Sequence, residues 1–546
     1  MLKEQLRRRH FRRVRSMLRA SIAITREHRQ AELFGYSRRL AHAPLDLPRG
    51  WLLGLAPKEM DEGAQWCLRQ LLWLHARRRL GALSEVLRFV NGDGGPFFAP
   101  LPAPWRRKLK NFGMKLEVCR SAIAFLDFQI REFWSGLRRI AHYFRLGRRF
   151  GHPSGHYAVL YFARDFNLPP RDCPLPHWDW ATWTLQSGLV GPGTQLWAVS
   201  LSGGDIGRDG ITVVPNSMPA LRRVRTMAEF VLSAVGIVAV TIVRWTTGAW
   251  WAPVMLREFI DLAYARHVAT ADLATAYFFP PQFMSRRPLW SWWVERRGAD
   301  AVLEFYSHNF QTTFLPDQPD LPLTDAIFSL MRWPKVVYMT DECGPYMEAI
   351  GASPHQHIVA GAVSFVDEGG LPPAFDRPAV AIFDIDPVPR VGRAAVGMPQ
   401  YWHSRAVVRV FLDEASAAIR EAGAIPVWKL KGTIFEEEAI HPGSLRYDNL
   451  AHREMARKHG AVICKDTMPA QRLAGAVDAA LVLPFTTPAT LFRMLGRPAA
   501  YYDPTGTLGD HALMARGAPI LTDRRALRAW LGEVLGEAVR QRRISA

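Results

Sequence analysis

The segment 484–488, Pro-Phe-Thr-Thr-Pro, has the residue types of a phosphate-binding turn. It follows an apolar run, Ala479–Leu483, which predicts a buried strand, and it leads into a helical pattern. In this arrangement Thr487 would be the N-cap and Pro488 the first helical residue. The hydroxyls of Thr486 and Thr487, together with the first N–H groups of the helix, could then hold a phosphate. An ordinary capped helix without a ligand would have the same sequence, so the alternative stays open.

Two lysines stand at the end of another predicted strand, Ile425–Lys429. Lys429 and Lys431 stand at the strand's carboxyl end, where a lysine could face a bound ligand. A cation there would neutralise an anionic phosphate. Exposed lysines without a ligand are common, and that interpretation also stays open.

Carboxylates supply candidates for a general base. Asp384 and Asp386 follow the predicted strand Val380–Phe383 at a spacing of two, and Glu368 precedes that strand in an acidic pair with Asp367. His308 and Glu342 are further candidates. Asp384-Ile385-Asp386 also has the pattern of a metal-binding Asp-x-Asp, but its place after the first strand of a domain argues against that function, and no metal is predicted.

The elements that must position these residues alternate between short apolar runs and amphipathic stretches. This alternation predicts a parallel, doubly wound sheet in residues 376–546 and a second α/β lobe in residues 151–375. The fold class is therefore α/β, with two Rossmann-like lobes. The predicted strands are His156–Phe162, Gln195–Ser200, Gly210–Val214, Ala301–Tyr306, Val336–Met339, Gln356–Val359, Val380–Phe383, Ile425–Lys429, Ala461–Ile463, Ala479–Leu483 and Ala499–Tyr502. The main helices predicted in the last lobe are Ser404–Ala422, Leu445–His459, Pro488–Leu495 and Arg524–Arg540.

The charge of the chain lies almost wholly at its beginning. Among 546 residues the net charge is +19, and residues 1–150 hold 31 basic and 12 acidic side chains against 38 and 38 in the remainder. Residues 1–150 are predicted to be a basic helical region, with an amphipathic helix at Leu2–Arg26 and longer helices near Ala64–Val90 and Met114–Phe144. Such helices suit an anionic membrane surface, and since no nucleic-acid motif accompanies the charge, no nucleic-acid partner is predicted.

A second feature bears on the membrane. Residues 230–243 carry no charge, and the apolar pattern resumes after Arg244 as far as Leu256. Fourteen residues are too few to span a bilayer unless Arg244 lies within the span, so segment 228–256 predicts an interfacial element or a buried helix, with a single transmembrane helix as the remaining alternative. The five cysteines have no metal-ligand spacing, which predicts a reducing compartment without structural zinc. The expected location is cytoplasmic and peripheral, on the inner face of the cell membrane.

Residues 481–506, LVLPFTTPATLFRMLGRPAAYYDPTG, resemble the signature of the polysaccharide biosynthesis family named after a Pro-Phe-Thr-Ser motif. Tyr306–Asn309, the region from Trp333 to Tyr338, Ile382–Asp384 and Lys429–Lys431 fit the same family in order. The resemblance covers roughly residues 300–530, and Thr487 stands where the motif has serine. It implies a two-lobed, GT-B-like glycosyltransferase of surface carbohydrate that uses a nucleotide-sugar donor, a glycan or lipid-linked acceptor and no further cofactor.

A more distant similarity concerns bacterial sialyltransferases of the same fold type. These enzymes have an acidic pair, a His-Pro pair and a hydroxyl pair, with counterparts here at Glu368, at His441 and at Thr486 with Thr487. The resemblance implies that Glu368 is the base and that His441 steadies the leaving phosphate. It also implies that Thr486 and Thr487 bind the phosphate. Alternative functions are such a CMP-sugar enzyme, a nucleotide-sugar epimerase, and a non-enzymatic membrane-bound assembly factor. In the glycosyltransferase, Thr486, Thr487, Lys429 and Lys431 would bind the donor phosphate, and Glu368, Asp384 or Asp386 would be the base.

Overall fold

A computed structural model describes most of the chain as two compact units. The described residues are 38–80, 100–111, 115–146, 156–161, 180–199, 211–214, 217–221, 223–304, 313–315, 318–323, 328–349, 351–361, 363, 374–385, 405–429, 446–464, 468, 470–484, 486–506 and 517–545. Those up to residue 304 and from 328 to 363 belong to the first unit, and those of 313–323 and from 374 onward belong to the second. The predicted helix Leu2–Arg26 lies outside the described residues.

The first unit contains a seven-stranded parallel sheet. Its strands are β1 (Tyr157–Leu160), β2 (Gln195–Val199), β3 (Ile211–Val214), β4 (Ala276–Phe279), β5 (Asp300–Glu304), β8 (Lys335–Tyr338) and β9 (Gln356–Val359). Their order across the sheet is β3-β2-β1-β4-β5-β8-β9, and every neighbouring pair is parallel. The strand order reverses direction between β1 and β4, as in a doubly wound fold. The central strands β1 and β4 are buried throughout, as strands covered on both faces must be.

The helices of the first unit come from the basic region and from the segments between strands. They are α1 (Asp61–Leu80), α2 (Ala103–Asn111), α3 (Val118–Leu146), α4 (Trp180–Gln186), α5 (Val224–Thr246), α6 (Trp251–His267), α7 (Leu289–Glu295) and α8 (Cys343–Ala349). From Trp251 to Ala265, every side chain of α6 except that of Arg257 is buried. Both α3 and α5 pack against α6. The approach of α3 requires Gly136, because a Cβ there would lie 2.6 Å from Leu256 Cγ.

The second unit is a six-stranded parallel sheet covered by helices. Its strands are β10 (Ala379–Phe383), β11 (Ile425–Lys429), β12 (Val462–Ile463), β13 (Ala479–Val482), β14 (Ala499–Tyr502) and β15 (Ile520–Leu521), in the order β12-β11-β10-β13-β14-β15. Its helices are α9 (Arg405–Glu421), α10 (Arg446–His459), α11 (Ala470–Ala476), α12 (Thr487–Met494) and α13 (Arg524–Ser545). Apolar residues of β10, β13, α9 and α13 share one core. The short strands β6 (Thr313–Leu315) and β7 (Gln318–Leu323) form an antiparallel pair.

This architecture confirms the predicted fold class. Two parallel α/β sheets are present, and the strands predicted from His156 to Tyr502 appear where their residues are described, with ends shifted by a few positions. The strands β4, β6, β7 and β15 were not predicted. The helices predicted at Ala64–Val90 and Met114–Phe144 correspond to α1 and α3.

Candidate functional site

The switch point of the second sheet lies between β10 and β13, where the order of strands reverses. In open parallel sheets, ligands bind at the carboxyl ends of the strands at this position. Phe383, the last residue of β10, pairs with Lys429 of β11 on one side and with Val482 of β13 on the other. Asp384, Lys429 and the turn that follows β13 therefore lie at one edge of the sheet.

The turn after β13 ends in the N-cap of α12, but one residue earlier than predicted. Thr486 is the N-cap, with an extended backbone, and Pro488 occupies the second helical position. The prediction of Thr487 as N-cap and Pro488 as first residue was therefore wrong. The Thr486 hydroxyl donates to the Leu483 carbonyl at 3.0 Å, which shortens the turn and leaves the first helical position to Thr487.

This helix start keeps the features needed to bind an anion. The N–H groups of the first turn have no acceptor within the helix, and the helix dipole is positive at this end. Pro488 has no N–H to contribute, so these donors come from the residues around it. Thr487 is half-buried and Thr486 is buried, so the hydroxyl of Thr487 is the more accessible of the two.

Contacts from β14 and β10 fix the position of α12. The Tyr501 hydroxyl donates to the Thr486 carbonyl at 3.3 Å, and the rings of Phe383 and Phe492 meet edge to face with centroids 5.4 Å apart. The fully buried Asp503, which follows β14, accepts hydrogen bonds from the backbone N–H and the hydroxyl of Thr505. The start of α12, which Tyr501 and Phe383 hold in place, can present its donors without reorganising when a ligand binds.

The structure brings together part of the predicted site. Asp384, which is buried, lies at the same sheet edge as Lys429, Thr486 and Thr487. The other predicted site residues, Glu368, Asp386, Lys431 and His441, lie outside the described residues, as does His308. Glu342 is exposed in the turn before α8 of the first unit.

The structure also shows an acidic residue that sequence reasoning missed. Glu304 is the last residue of β5, the strand next to β4, and only 1% of it is exposed. Burial raises the pKa of its carboxyl well above the usual range, and the described residues offer its Oε1 atom no hydrogen-bond partner. Burial therefore favours the protonated form of this carboxyl. The signal in the sequence is a single acidic residue ending an otherwise apolar strand.

The switch point of the first sheet has a different character. Aromatic side chains fill the carboxyl ends of β1 and β4: the ring of Tyr161 stacks on that of Phe279, with centroids 5.3 Å apart, and meets that of Phe283 edge to face. Trp290 packs against the same group. This edge is therefore an apolar, packed surface, in contrast to the polar edge of the second sheet.

The family model for polysaccharide biosynthesis PFTS motif proteins matches residues 236–531, more than half of the chain. The chain belongs to this family, which confirms the resemblance found in the sequence. The matched region contains both the turn at Thr486 and the strand that ends in Glu304.

Comparison with known proteins adds distant structural similarities. No curated protein matches the sequence. Among solved structures, the calicheamicin glycosyltransferase CalG4 is 14% identical, with 71% of this chain and 92% of that chain covered and a TM-score of 0.33. A UGT transferase from Siraitia grosvenorii in complex with UDP is 9% identical, covering 70% and 91%, with a TM-score of 0.34. The wall teichoic acid polymerase TagF is 10% identical, covering 75% and 90%, with a TM-score of 0.32.

Proposed function

We propose that this protein is a glycosyltransferase of surface polysaccharide biosynthesis that transfers a sugar from a nucleotide-sugar donor to a glycan or lipid-linked acceptor. The observation that carries the proposal is the grouping of Asp384, Lys429, Thr486 and Thr487 at the switch point of the second sheet. Membership of a polysaccharide biosynthesis family supports the substrate class.

Each group at this edge has a part in the reaction. The N–H groups of the first turn of α12 and the Thr487 hydroxyl bind the donor's phosphates, and the Lys429 ammonium neutralises negative charge as the nucleotide leaves. Asp384 is the described candidate for the base that takes the proton from the acceptor hydroxyl. Glu368 and Asp386 are the other candidates for the base, and Lys431 and His441 would add contacts to phosphate. The proposal needs no metal, because the helix start and the lysine supply the positive charge.

Nucleotide binding provides the first test. Thermal shift with UDP, GDP and CMP should show stabilisation by one of them, and Lys429→Ala and Thr487→Ala should each weaken its binding by about 10- to 100-fold, as expected for a lost charge-assisted hydrogen bond. Lys458→Ala is the matched control, since this exposed lysine at the end of α10 pairs with Asp413 instead. Binding by CMP alone would select the sialyltransferase-like alternative.

Turnover separates the remaining alternatives. The proposed enzyme releases nucleotide only when an acceptor is supplied, whereas an epimerase would act on the donor alone. Asp384→Asn should lower turnover with little change in nucleotide affinity. If no nucleotide binds, and replacing both Thr486 and Thr487 by alanine has no effect in cells, the non-enzymatic assembly factor is the correct function.

We also propose that the protein works on the inner face of the cell membrane, held there by anionic lipid. Two helices of the first unit support this. On α3, Ile123, Leu126, Ile130 and Trp134 recur at steps of three and four and are exposed, Ile123 at 69%. Arginines at 120, 131 and 138 stand beside them, as expected of a surface that meets lipid headgroups.

Helix α5 has a second exposed apolar face. It is long and apolar enough to cross a membrane by length and composition, yet its inner side packs on α6: Phe230 contacts the Tyr264 ring, and Ser233 bonds to His267. Its outer side is apolar, with Leu232 72% exposed. Because one face of α5 packs against the protein, we expect the helix to lie in the membrane interface rather than to span the bilayer.

Vesicle flotation tests this location. The protein should float with vesicles that contain anionic phosphatidylglycerol, and Leu232→Asp combined with Ile130→Asp should abolish flotation. Val410→Asp, at an exposed apolar position of α9 in the second unit, is the control and should leave binding unchanged. Deleting residues 1–30 should weaken binding at low salt. Flotation of the double variant equal to that of the wild type would refute the role of α3 and α5.

A further inference from the structure

Three side chains that can bind a divalent metal converge at the edge of the first sheet. Glu348 lies on α8, His355 immediately precedes β9, and His357 lies within β9. One donor atom of each lies within 4.8 Å of the donor atoms of the other two. Glu348 Oε1 is 3.0 Å from His357 Nε2 and 3.8 Å from His355 Nδ1. In the described part of the chain, no other three histidine, cysteine or acidic side chains form such a group.

The local structure explains why they meet. Residues two apart on an extended chain point to the same face, so His355 and His357 both turn toward α8. Helix α8 brings Glu348 to them in its last turn. Gly344 allows the close approach of His357, because a Cβ at this position would lie 2.3 Å from Nδ1 of the His357 ring.

Neighbouring groups hold the three side chains from outside. The His355 side chain is fully buried, and its Nε2 lies 2.6 Å from the Tyr338 hydroxyl. The His355 backbone N–H donates to Glu348 Oε1 at 3.3 Å. Metal-binding histidines usually have a partner on the ring nitrogen that faces away from the metal, and this partner fixes the orientation of the ring. Tyr338 is placed to have that function.

We propose that Glu348, His355 and His357 bind a divalent transition metal of the Zn²⁺ type. Two imidazoles and one carboxylate are ligands that Zn²⁺ accepts, with a further position left for water. Ligands about 2.1 Å from a tetrahedral metal are roughly 3.4 Å apart, and the two distances from Glu348 lie on either side of this value. The Glu348 carboxylate is about one third exposed, so it can move and shorten its 3.8 Å distance from His355.

Metal binding would change which ring nitrogen carries a proton in His355 and in His357. In the metal-free arrangement, His355 Nδ1 donates to the Ser353 carbonyl at 2.6 Å, and His357 Nε2 donates to Glu348. When these two atoms bind the metal, neither of them can carry a proton, and His355 Nε2–H then donates to the Tyr338 oxygen.

The bound ion would join the edge of the sheet to its covering helix. Strand β9 has one neighbouring strand, β8, so one side of it has no strand partner in the described sheet. A metal shared between β9 and α8 would cross-link this edge strand to the helix. Its function would be to stabilise the first unit, and this function is distinct from the proposed transfer chemistry at Lys429 and Thr487.

Titration with metal alone tests the proposal, using full-length protein without a histidine tag. Dialysed protein should bind one equivalent of Zn²⁺, measured by elemental analysis after equilibrium dialysis, and its melting temperature should rise. Co²⁺ should give the visible absorption of a low-coordinate site. His357→Gln and Glu348→Gln should each weaken binding at least 100-fold, and Tyr338→Phe, which removes the positioning hydroxyl, by roughly tenfold.

His267→Gln is the matched control, because this half-buried histidine of the same unit bonds to Ser233 and lies outside the cluster. It should bind Zn²⁺ as the wild type does. The proposal is overturned if wild-type protein takes up less than half an equivalent of Zn²⁺ at 100 times the protein concentration, or if the His357→Gln and Glu348→Gln variants, folded by circular dichroism, bind as well as wild type.

Discussion

Replacing Glu304 by glutamine should stabilise the first unit at neutral pH. The carboxyl is buried, and burial raises its pKa well above the ordinary value of 4.5. The unfolded chain therefore releases a proton that the folded chain keeps, and each pH unit above 4.5 favours unfolding by about 1.4 kcal/mol. At pH 7 the effect reaches at most about 3.4 kcal/mol. The glutamine amide is itself buried, so we expect a net gain of about 1–3 kcal/mol.

The pH dependence of the stability difference between Glu304→Gln and the wild type shows whether ionisation of Glu304 is its cause. For an acid whose folded pKa is raised, stability is greatest below the unfolded pKa and falls as pH rises toward the folded pKa. Urea unfolding from pH 4.5 to 8 should therefore show the advantage of Glu304→Gln growing with pH and vanishing near pH 4.5. Tryptophan fluorescence follows this unit, because most of the 19 tryptophans lie before residue 334. Glu533→Gln, at an exposed position of α13, is the control and should have little effect.

One result would refute this reasoning. If Glu304→Gln is no more stable than the wild type at pH 7.5, and the difference between them does not change with pH, then Glu304 is ionised in the folded protein and has a partner that holds its charge. Glu304→Ala would not make this distinction, since the cavity that it leaves is destabilising at every pH.

Three further substitutions test the packing and ion pairs of the two units. Burial opposes the ionisation of Glu258, but the Arg286 guanidinium, which donates to it at 2.7 Å, holds its pKa below the usual range. Glu258→Gln should therefore lower the free energy of unfolding by about 3–5 kcal/mol at pH 7, measured by urea unfolding. This loss should become smaller as the pH falls below about 4.5. Phe492→Ala should cost about 3–5 kcal/mol in the second unit, measured by its thermal unfolding, because the ring is fully buried. Asp503→Ala should cost about 1–3 kcal/mol in the same assay, because the buried carboxylate accepts two hydrogen bonds from Thr505. A cost below 0.5 kcal/mol would contradict any of the three.

The second unit was the easier of the two to predict from sequence. Its strands are short apolar runs such as Ala479–Val482 and Ala499–Tyr502, separated by amphipathic helices, so the hydrophobic period changes clearly between elements. The error at the N-cap of α12 was small. Thr486 and Thr487 have the same intrinsic preference for the cap, and the hydrogen bond from Thr486 to the Leu483 carbonyl, which follows from the folded turn, decides between them.

The elements of the first unit were harder to predict from sequence, because its apolar residues do not show a clear two-residue strand period or 3.6-residue helix period. The strand β4, Ala276–Phe279, lies between two helices that are rich in aromatic and aliphatic residues, so local pattern does not distinguish it. Glu304 was missed for a related reason. A glutamate in a sequence is expected to be exposed, and only the sheet order, which puts β5 between β4 and β8, shows that this one is buried.

The two sheets have the same strand order around their switch points but carry different side chains there, and this difference supports the proposed position of the donor site. At the first switch point, the rings of Tyr161, Phe279 and Phe283 fill the described strand ends, and Arg286, whose charge acts on Tyr161, is paired with Glu258. At the second, Lys429 and the start of α12 lie at the strand ends. A nucleotide diphosphate needs positive charge and N–H donors, and this supports our proposal that the donor binds to the second unit.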